Sequence, residues 1–189
     1  MALEKVRCPW CLHDADYIKY HDKEWGFPLK NSRKLLEFLI LDGAQAGLSW
    51  LTILKRREGY CLAFDNFDPG KVAAYGEKDI QRLMNDERII RNGLKIKSAI
   101  GNAKAYCEME EAGIDFSKWL WNFVDGKPIV NKWKKLSQIP ASTPLSEKIS
   151  KELKKKGFTF VGPTIIYAFI QASGLVNDHL LDCFRYPKT

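Results

Sequence analysis

Cys8 and Cys11 flank Pro9 and Trp10 in the stretch CPWC. Two cysteines at that spacing form a redox pair or half of a metal site, or stand together by chance. The redox reading needs a strand before the motif and a βαβ frame around it. Only seven residues precede Cys8, and no parallel-sheet pattern follows. The metal reading draws on both ends of the chain. His21 stands thirteen positions after Cys8, and His179 and Cys183 stand four apart in HLLDC. A spacing of four places two side chains on one helix face, one turn apart. Two Cys and two His complete a tetrahedral zinc set and leave no open position for catalysis. A structural zinc pinning one terminus to the other is expected. Cys11 is then a spare thiol, and His13 stays an alternative ligand by counting.

The stretch KKKGFTFVGPTIIYAF carries a different chemistry. A basic helix ends at Gly157, a tight turn holds Val161 and Gly162, and a new helix begins at Pro163 and Thr164. Glycine lets the backbone come close to a ligand. The free N–H groups at a helix N-terminus can hold a phosphate. Lys154, Lys155 and Lys156 place charge beside it. The plainer reading is a helical hairpin with a solvated lysine run.

Helices must position these residues, and the text reads as helix after helix. Ser32 can cap LLEFLIL, with Leu35, Leu36, Leu39 and Ile40 at helical spacing. GLSWLTILKRRE continues as a second helix whose Lys55, Arg56 and Arg57 suit a C-terminus. Asp68-Pro69 opens a short helix, and EKDIQRLMND is another. LKIKSAIGNAKAYCEMEEAG is long and amphipathic, and FSKWLWNFV follows. GKPIVNKWKKLSQIPAST is irregular, the best candidate for a surface excursion. Ser146 begins SEKISKELKKKG, and PTIIYAFIQASG is a buried helix with Pro163 at its start. Sustained β alternation is absent, so an all-α fold is expected, as a single domain over residues 1–189.

The totals agree. The 189 residues carry 30 Lys and Arg against 23 Asp and Glu, a formal charge of +7, which favours a polyanion such as nucleic acid. A merely soluble basic surface is the alternative. No apolar run reaches the roughly 18 residues of a membrane span. MALEKVRCPW lacks a signal-peptide core, so a cytoplasmic protein without membrane partners is expected. Five cysteines, an odd number, argue against a disulfide framework.

RCPW, DYIKYHDKEWGFP, LDGAQAGLSWLTILKRRE, IIRNGLKIKSAIGNAKAY, KKKGFTFVGPTIIYAFIQASGLVNDH and the final cysteine form a long ordered series. In that series the sequence resembles the 3-methyladenine DNA glycosylase I (Tag) family over nearly its whole length. The resemblance implies a helix–hairpin–helix glycosylase fold with a zinc snap, the ligands being Cys8, His21, His179 and Cys183. It implies a base pocket of Trp10, Tyr17, Tyr20, Asp42 and Trp50, with Gln45 nearby. Trp25 is read as core. The loop Gln45 to Ser49 resembles the family's wedge, with Gly47 and Leu48 at its tip. Lys155, Lys156, Gly162 and Thr164 are the expected DNA contacts.

The chemistry follows independently. A glycosylase takes its target base out of the stack into a pocket of aromatic faces and a few polar groups. Adenine methylated at N3 is cationic within DNA and leaves as a neutral base, so the enzyme need mainly bind, orient and stabilise a sugar cation. Related hairpin glycosylases carry a catalytic Asp in a V-D-x-H stretch; here it reads Val176-Asn177-Asp178-His179, which puts a neutral amide at Asn177. Asp178 is read as a residue that caps or orients the ligand beside it. The family's pocket carboxylate is Glu in an L-E-G stretch. This chain has Asp42, about 1.5 Å shorter in reach, and Asp42 is the candidate catalytic residue. The expected activity is monofunctional excision of 3-methyladenine from double-stranded alkylated DNA by a monomer. The alternatives are a non-catalytic binder of alkylated DNA and a zinc-stabilised RNA- or partner-binding module.

Overall fold

Helix boundaries fall where short polar caps and glycines put them. The computed structural model of the protein describes residues 5–187. Among them are the helices α1 (Ala15–Lys23), α2 (Ser32–Gln45), α3 (Trp50–Leu54), α4 (Arg57–Ala63), α5 (Pro69–Ala73), α6 (Glu77–Met84), α7 (Gly93–Glu111), α8 (Phe116–Trp121), α9 (Pro144–Lys155) and α10 (Pro163–Ala172). Two strands of two residues each, β1 (Ile129–Val130) and β2 (Val176–Asn177), pair in parallel. The molecule is mostly helical, and no helix is long and apolar enough to cross a membrane.

Asp14, Asn92 and Asp115 cap α1, α7 and α8 by accepting from backbone N–H groups one turn in. Two caps differ from the sequence expectation. Asn31, not Ser32, caps α2, accepting from Lys34 N at 2.9 Å; the Ser32 hydroxyl instead accepts from Ser117 N. Thr143, not Ser146, caps α9, which starts at Pro144. The expected second helix is also broken in two. α3 stops at Leu54, and Arg57 opens α4 rather than closing α3. Arg57 pairs with Glu37 at 2.9 Å and Glu24 at 2.5 Å, so it ties α1, α2 and α4 together.

α2 is the centre of the core. From Leu35 to Ala44 every residue is buried, so this helix is enclosed on all sides. It packs against α7 and α10, and α10 packs against α9. The turn between α9 and α10 docks on α2 beside Gly43, where an added Cβ would meet Phe160 Cβ at 3.4 Å. The segment expected as a surface excursion lies at the surface, with none of residues 126–143 buried, and it is tied down at two points. β1 anchors its start through Ile129 to Val176 and Val130 to Asn177, and Leu181 N donates to Trp133 O at 2.9 Å.

Candidate active site and metal centre

A cavity of about 220 Å³ opens between α1, α2 and α10. Trp10, Tyr17, Tyr20, Asp42, Gln45 and Trp50, all expected from sequence, line it. Trp25, expected in the core, is 8% exposed and lines it as well. Trp25 is thus both a buried core residue and part of the cavity wall. The rings form a cage. Trp10 meets Tyr17 edge-on at 4.9 Å and Trp25 at 5.1 Å, and Tyr20 meets Trp50 at 5.4 Å. Such rings offer flat faces to a flat ligand.

Two polar atoms in this cage lack protein partners. Asp42 is 3% exposed, and no described group donates to its buried Oδ2. The buried indole N–H of Trp50 has no acceptor. A buried polar atom without a partner is costly, so each calls for an explanation. Burial pushes the Asp42 carboxyl well above the ordinary carboxylate range, and burial likewise raises the Tyr20 phenol. An acceptor and a donor stand ready for the edge of a planar polar ligand, and the carboxylate form of Asp42 suits a cation.

Sequence reasoning missed Ile139, Ala168, Gln171 and Ala172 on the cavity wall. The α10 residues carry a signal in retrospect, since Ala168 and Ala172 stand one turn apart on a small-residue face. Ile139 carries none, because it reaches the cavity from an irregular loop.

Next to the cavity lie Cys8, His21, His179 and Cys183, all buried, with ligand atoms within 4.8 Å of one another. Cys183 Sγ is 3.4 Å from His21 Nε2 and 3.6 Å from His179 Nδ1; Cys8 Sγ is 3.8 Å from His179 Nδ1. A tetrahedral zinc with ordinary bond lengths sets sulfur and nitrogen about 3.5 Å apart. The outward ring nitrogens are also engaged. His21 Nδ1 lies 2.9 Å from Asp22 Oδ1, and His179 Nε2 lies 3.2 Å from Trp25 O. Such partners fix the tautomers that metal ligation needs. Backbone N–H groups of Leu180 and Arg185 point at the two sulfurs, each at 3.5 Å. The donor set therefore fits a metal ion. Between the two thiols, the hydrogen bond from Cys8 holds Cys183 low, and that bond together with burial pushes Cys8 up.

His179 and Cys183 do not share a helix face; residues 178–183 form an irregular turn. The ligands still converge, because Cys183 N bonds Leu180 O at 2.8 Å and folds the segment back on itself. Cys11 stays outside the cluster and donates its thiol to Cys8 O at 3.2 Å; burial pushes that thiol up to about 11. His13 is exposed and packs on Tyr17. Asn177 Oδ1 accepts from His179 N at 3.2 Å and does not line the cavity. Trp10 and Trp25 pack on the His21 and His179 rings at 5.4 and 4.6 Å, so cavity and cluster share walls.

The basic hairpin is held firmly. Thr159 N donates to Asn102 Oδ1 at 2.8 Å, Thr159 O accepts from Asn102 Nδ2 at 3.1 Å, and Ser150 Oγ donates to Val161 O at 2.6 Å. Gly162 is the N-cap of α10, with no side chain capping the helix, and Thr164 is exposed. Lys155 is exposed but pairs with Glu152 at 2.7 Å, and Lys156 Nζ lies 5.7 Å from the Trp119 ring centroid. Gly47 has a φ of 77°, and Leu48 is 40% exposed. Their loop has an anchor the sequence did not reveal. Lys95 Nζ donates to Ala44 O at 2.8 Å and Ala46 O at 2.6 Å, closing the C-terminal end of α2.

Known proteins resemble this chain in sequence and in shape. The methyladenine glycosylase family model matches residues 10–186. The chain is 53% identical to DNA-3-methyladenine glycosylase 1 of Escherichia coli (strain K12), over 96% of this chain and 97% of that protein. It is 50% identical to DNA-3-methyladenine glycosylase of Haemophilus influenzae, over 94% of this chain and 96% of the other. A crystal structure of 3-methyladenine DNA glycosylase I matches with a TM-score of 0.95 at 50% identity, covering 96% of this chain and 100% of that one. The Staphylococcus aureus enzyme, solved for its recognition of 3-methyladenine, matches with a TM-score of 0.93 at 40% identity, covering 97% of each chain. With half its residues identical to such relatives and the family model spanning nearly all of its length, the chain belongs to the methyladenine glycosylase family.

Proposed function

We propose that the protein excises 3-methyladenine from alkylated double-stranded DNA, hydrolysing the N-glycosidic bond and leaving an abasic site. The observation that carries this reading is the buried, unpartnered carboxyl of Asp42 inside an aromatic cage. Trp10, Tyr17, Tyr20 and Trp50 stack on and enclose the flipped base. The cationic base then stands beside Asp42 and favours its ionised form, so binding releases a proton. Trp50 N–H donates to an acceptor on the base edge. Cleavage returns the bonding electrons to the purine, which departs neutral, and water adds to C1′ of the sugar cation and loses its extra proton to solvent. Asn177 is a neutral amide engaged with His179 N, so it does not serve as a base. Asp42 acts by charge rather than by proton abstraction.

Gly47 and Leu48 enter the duplex where the base has left. Lys155, Lys156, Gly162 and Thr164 hold phosphates through the helix–hairpin–helix element and set register without reading sequence. Cys8, His21, His179 and Cys183 hold a structural zinc; with four protein ligands it supplies cross-linking and no Lewis-acid site. The protein acts as one cytoplasmic domain and as a monomer. Methylated duplex DNA incubated with the protein should yield free 3-methyladenine by mass spectrometry. Tight lesion binding with no base released would return the chain to the sensor reading.

A further inference from the structure

Gln171 lines the cavity from α10, and its amide has two chemically different ends. One end is committed. Gln171 Nε2 donates to Asp178 Oδ2 at 2.7 Å, and the Tyr167 hydroxyl donates to the same oxygen at 2.5 Å. Asp178 is 1% exposed, and its Oδ1 accepts from Asn131 Nδ2 at 2.7 Å and Trp133 Nε1 at 2.8 Å. All four donors are neutral, and they come from α10 and from the loop after β1. The two ends of an amide are nearly alike in shape, so hydrogen bonding decides which way it points. A flip would set Gln171 Oε1 against a carboxylate oxygen, two acceptors face to face in a buried site, at the cost of an unmade bond. The carboxylate therefore fixes the amide, and among the described residues no group donates to Oε1. That oxygen is the polar atom Gln171 has left for the cavity.

We propose that Gln171 Oε1 accepts a hydrogen bond from the exocyclic amino group of the bound purine, and that Asp178 is the positioning residue that keeps it facing inward. The proposal rests on the glycosylase reading above. An acceptor at this point separates the two methylated purines. Adenine carries an amino donor on its six-position, where guanine carries a carbonyl acceptor. A carbonyl facing Oε1 leaves two acceptors unpaired, and sites built around one hydrogen bond reject the analogue that cannot make it. Asp42 does not make this distinction by charge, because both purines are cationic when methylated at N3.

The experiment measures free 3-methyladenine and 3-methylguanine released from one methylated duplex by the parent, Gln171→Met and Asp178→Asn. Gln171→Met keeps the volume and removes the acceptor. Its kcat/KM for 3-methyladenine should fall about tenfold or more, the loss of one buried hydrogen bond. Release of 3-methylguanine should change by less than about twofold, so the ratio narrows by roughly an order of magnitude. Asp178→Asn frees the amide to turn and should narrow the ratio in the same direction. Melting curves report whether that variant is folded, and Gln171→Met decides alone if it is not. Equal losses on both bases, or an unchanged ratio, would overturn the proposal while leaving the glycosylase reading intact. A parent that releases neither base sinks the glycosylase reading, and this proposal with it.

Discussion

Asp42 sets function against stability in one side chain. Burial raises its carboxyl well above the ordinary value, whereas in the unfolded chain it titrates near 3.9. The folded state thus keeps its proton over a pH range where the unfolded state has lost it. Stability is fully present below the unfolded value and is lost as pH rises through the folded one. Asp42→Asn removes that loss. The variant should melt above the parent at pH 7, by about 2–4 °C per kcal/mol for a chain of this size, and the gap should close toward pH 4. Its release of 3-methyladenine should fall roughly tenfold to a hundredfold, the value of a hydrogen bond to a charged group. Parallel thermal melts and base-release assays check both; a variant that melts lower at pH 7 would refute the stability half. At this scale the sequence was legible where residue type dictates chemistry. Cys8, His21, His179 and Cys183 stood out because few side chains ligate metals, and they do cluster, even though the helix assumed for the last pair does not exist. Gln171 was not found, because a glutamine's role depends on a partner elsewhere in the chain.

Elements were legible where the backbone needs particular residues. Gly157, Gly162 and Pro163 bracket the turn between α9 and α10, and Asp68 with Pro69 opens α5, as expected. The break between α3 and α4 was not legible. No glycine or proline marks it, and Arg57 is drawn away by Glu24 and Glu37, which only the fold brings near. Lys155 and Lys156 of the hairpin should differ in effect. Lys156→Ala should lower the slope of log K against log salt by about 0.9. Lys155→Ala should lower it less, because Glu152 already shares its charge. Binding titrations over a range of salt concentrations measure both slopes, and identical slopes for parent and Lys156→Ala would remove Lys156 from the interface. At the other end of the site, Lys95→Met should free the loop carrying Gly47 and Leu48 from α2. Base release should drop while far-ultraviolet circular dichroism stays as in the parent; undiminished release would mean the loop needs no anchor.

For the whole molecule, the four-ligand cluster joins distant parts of the chain, Cys183 to His21 across 162 positions and Cys8 to His179 across 171. A cross-link closing so long a loop restricts the unfolded chain by several kcal/mol, about 4.7 for a loop of 100 residues. Cys8 and Cys183 belong to the core that surrounds α2, yet that core also draws on α7, α9 and α10, so removal of zinc should loosen the protein without unfolding all of it. Elemental analysis should find about one zinc per chain. Stripping it with a chelator should lower the melting midpoint and abolish base release while most helical ellipticity survives. A zinc-free preparation with unchanged melting would rule out the structural ion. The loss of activity follows from shared walls, since Trp10 and Trp25 pack on the ligand rings.

The same cluster orders events during synthesis. Cys8 and His21 leave the ribosome well before His179 and Cys183, which follow both hairpin helices. Domains gain structure as they emerge, N-terminal parts first. A nascent chain can therefore acquire its basic hairpin and its central helix before its base cage has firm walls. A chain cut short before His179 would carry the basic hairpin but lack two of the four ligands beside the cavity.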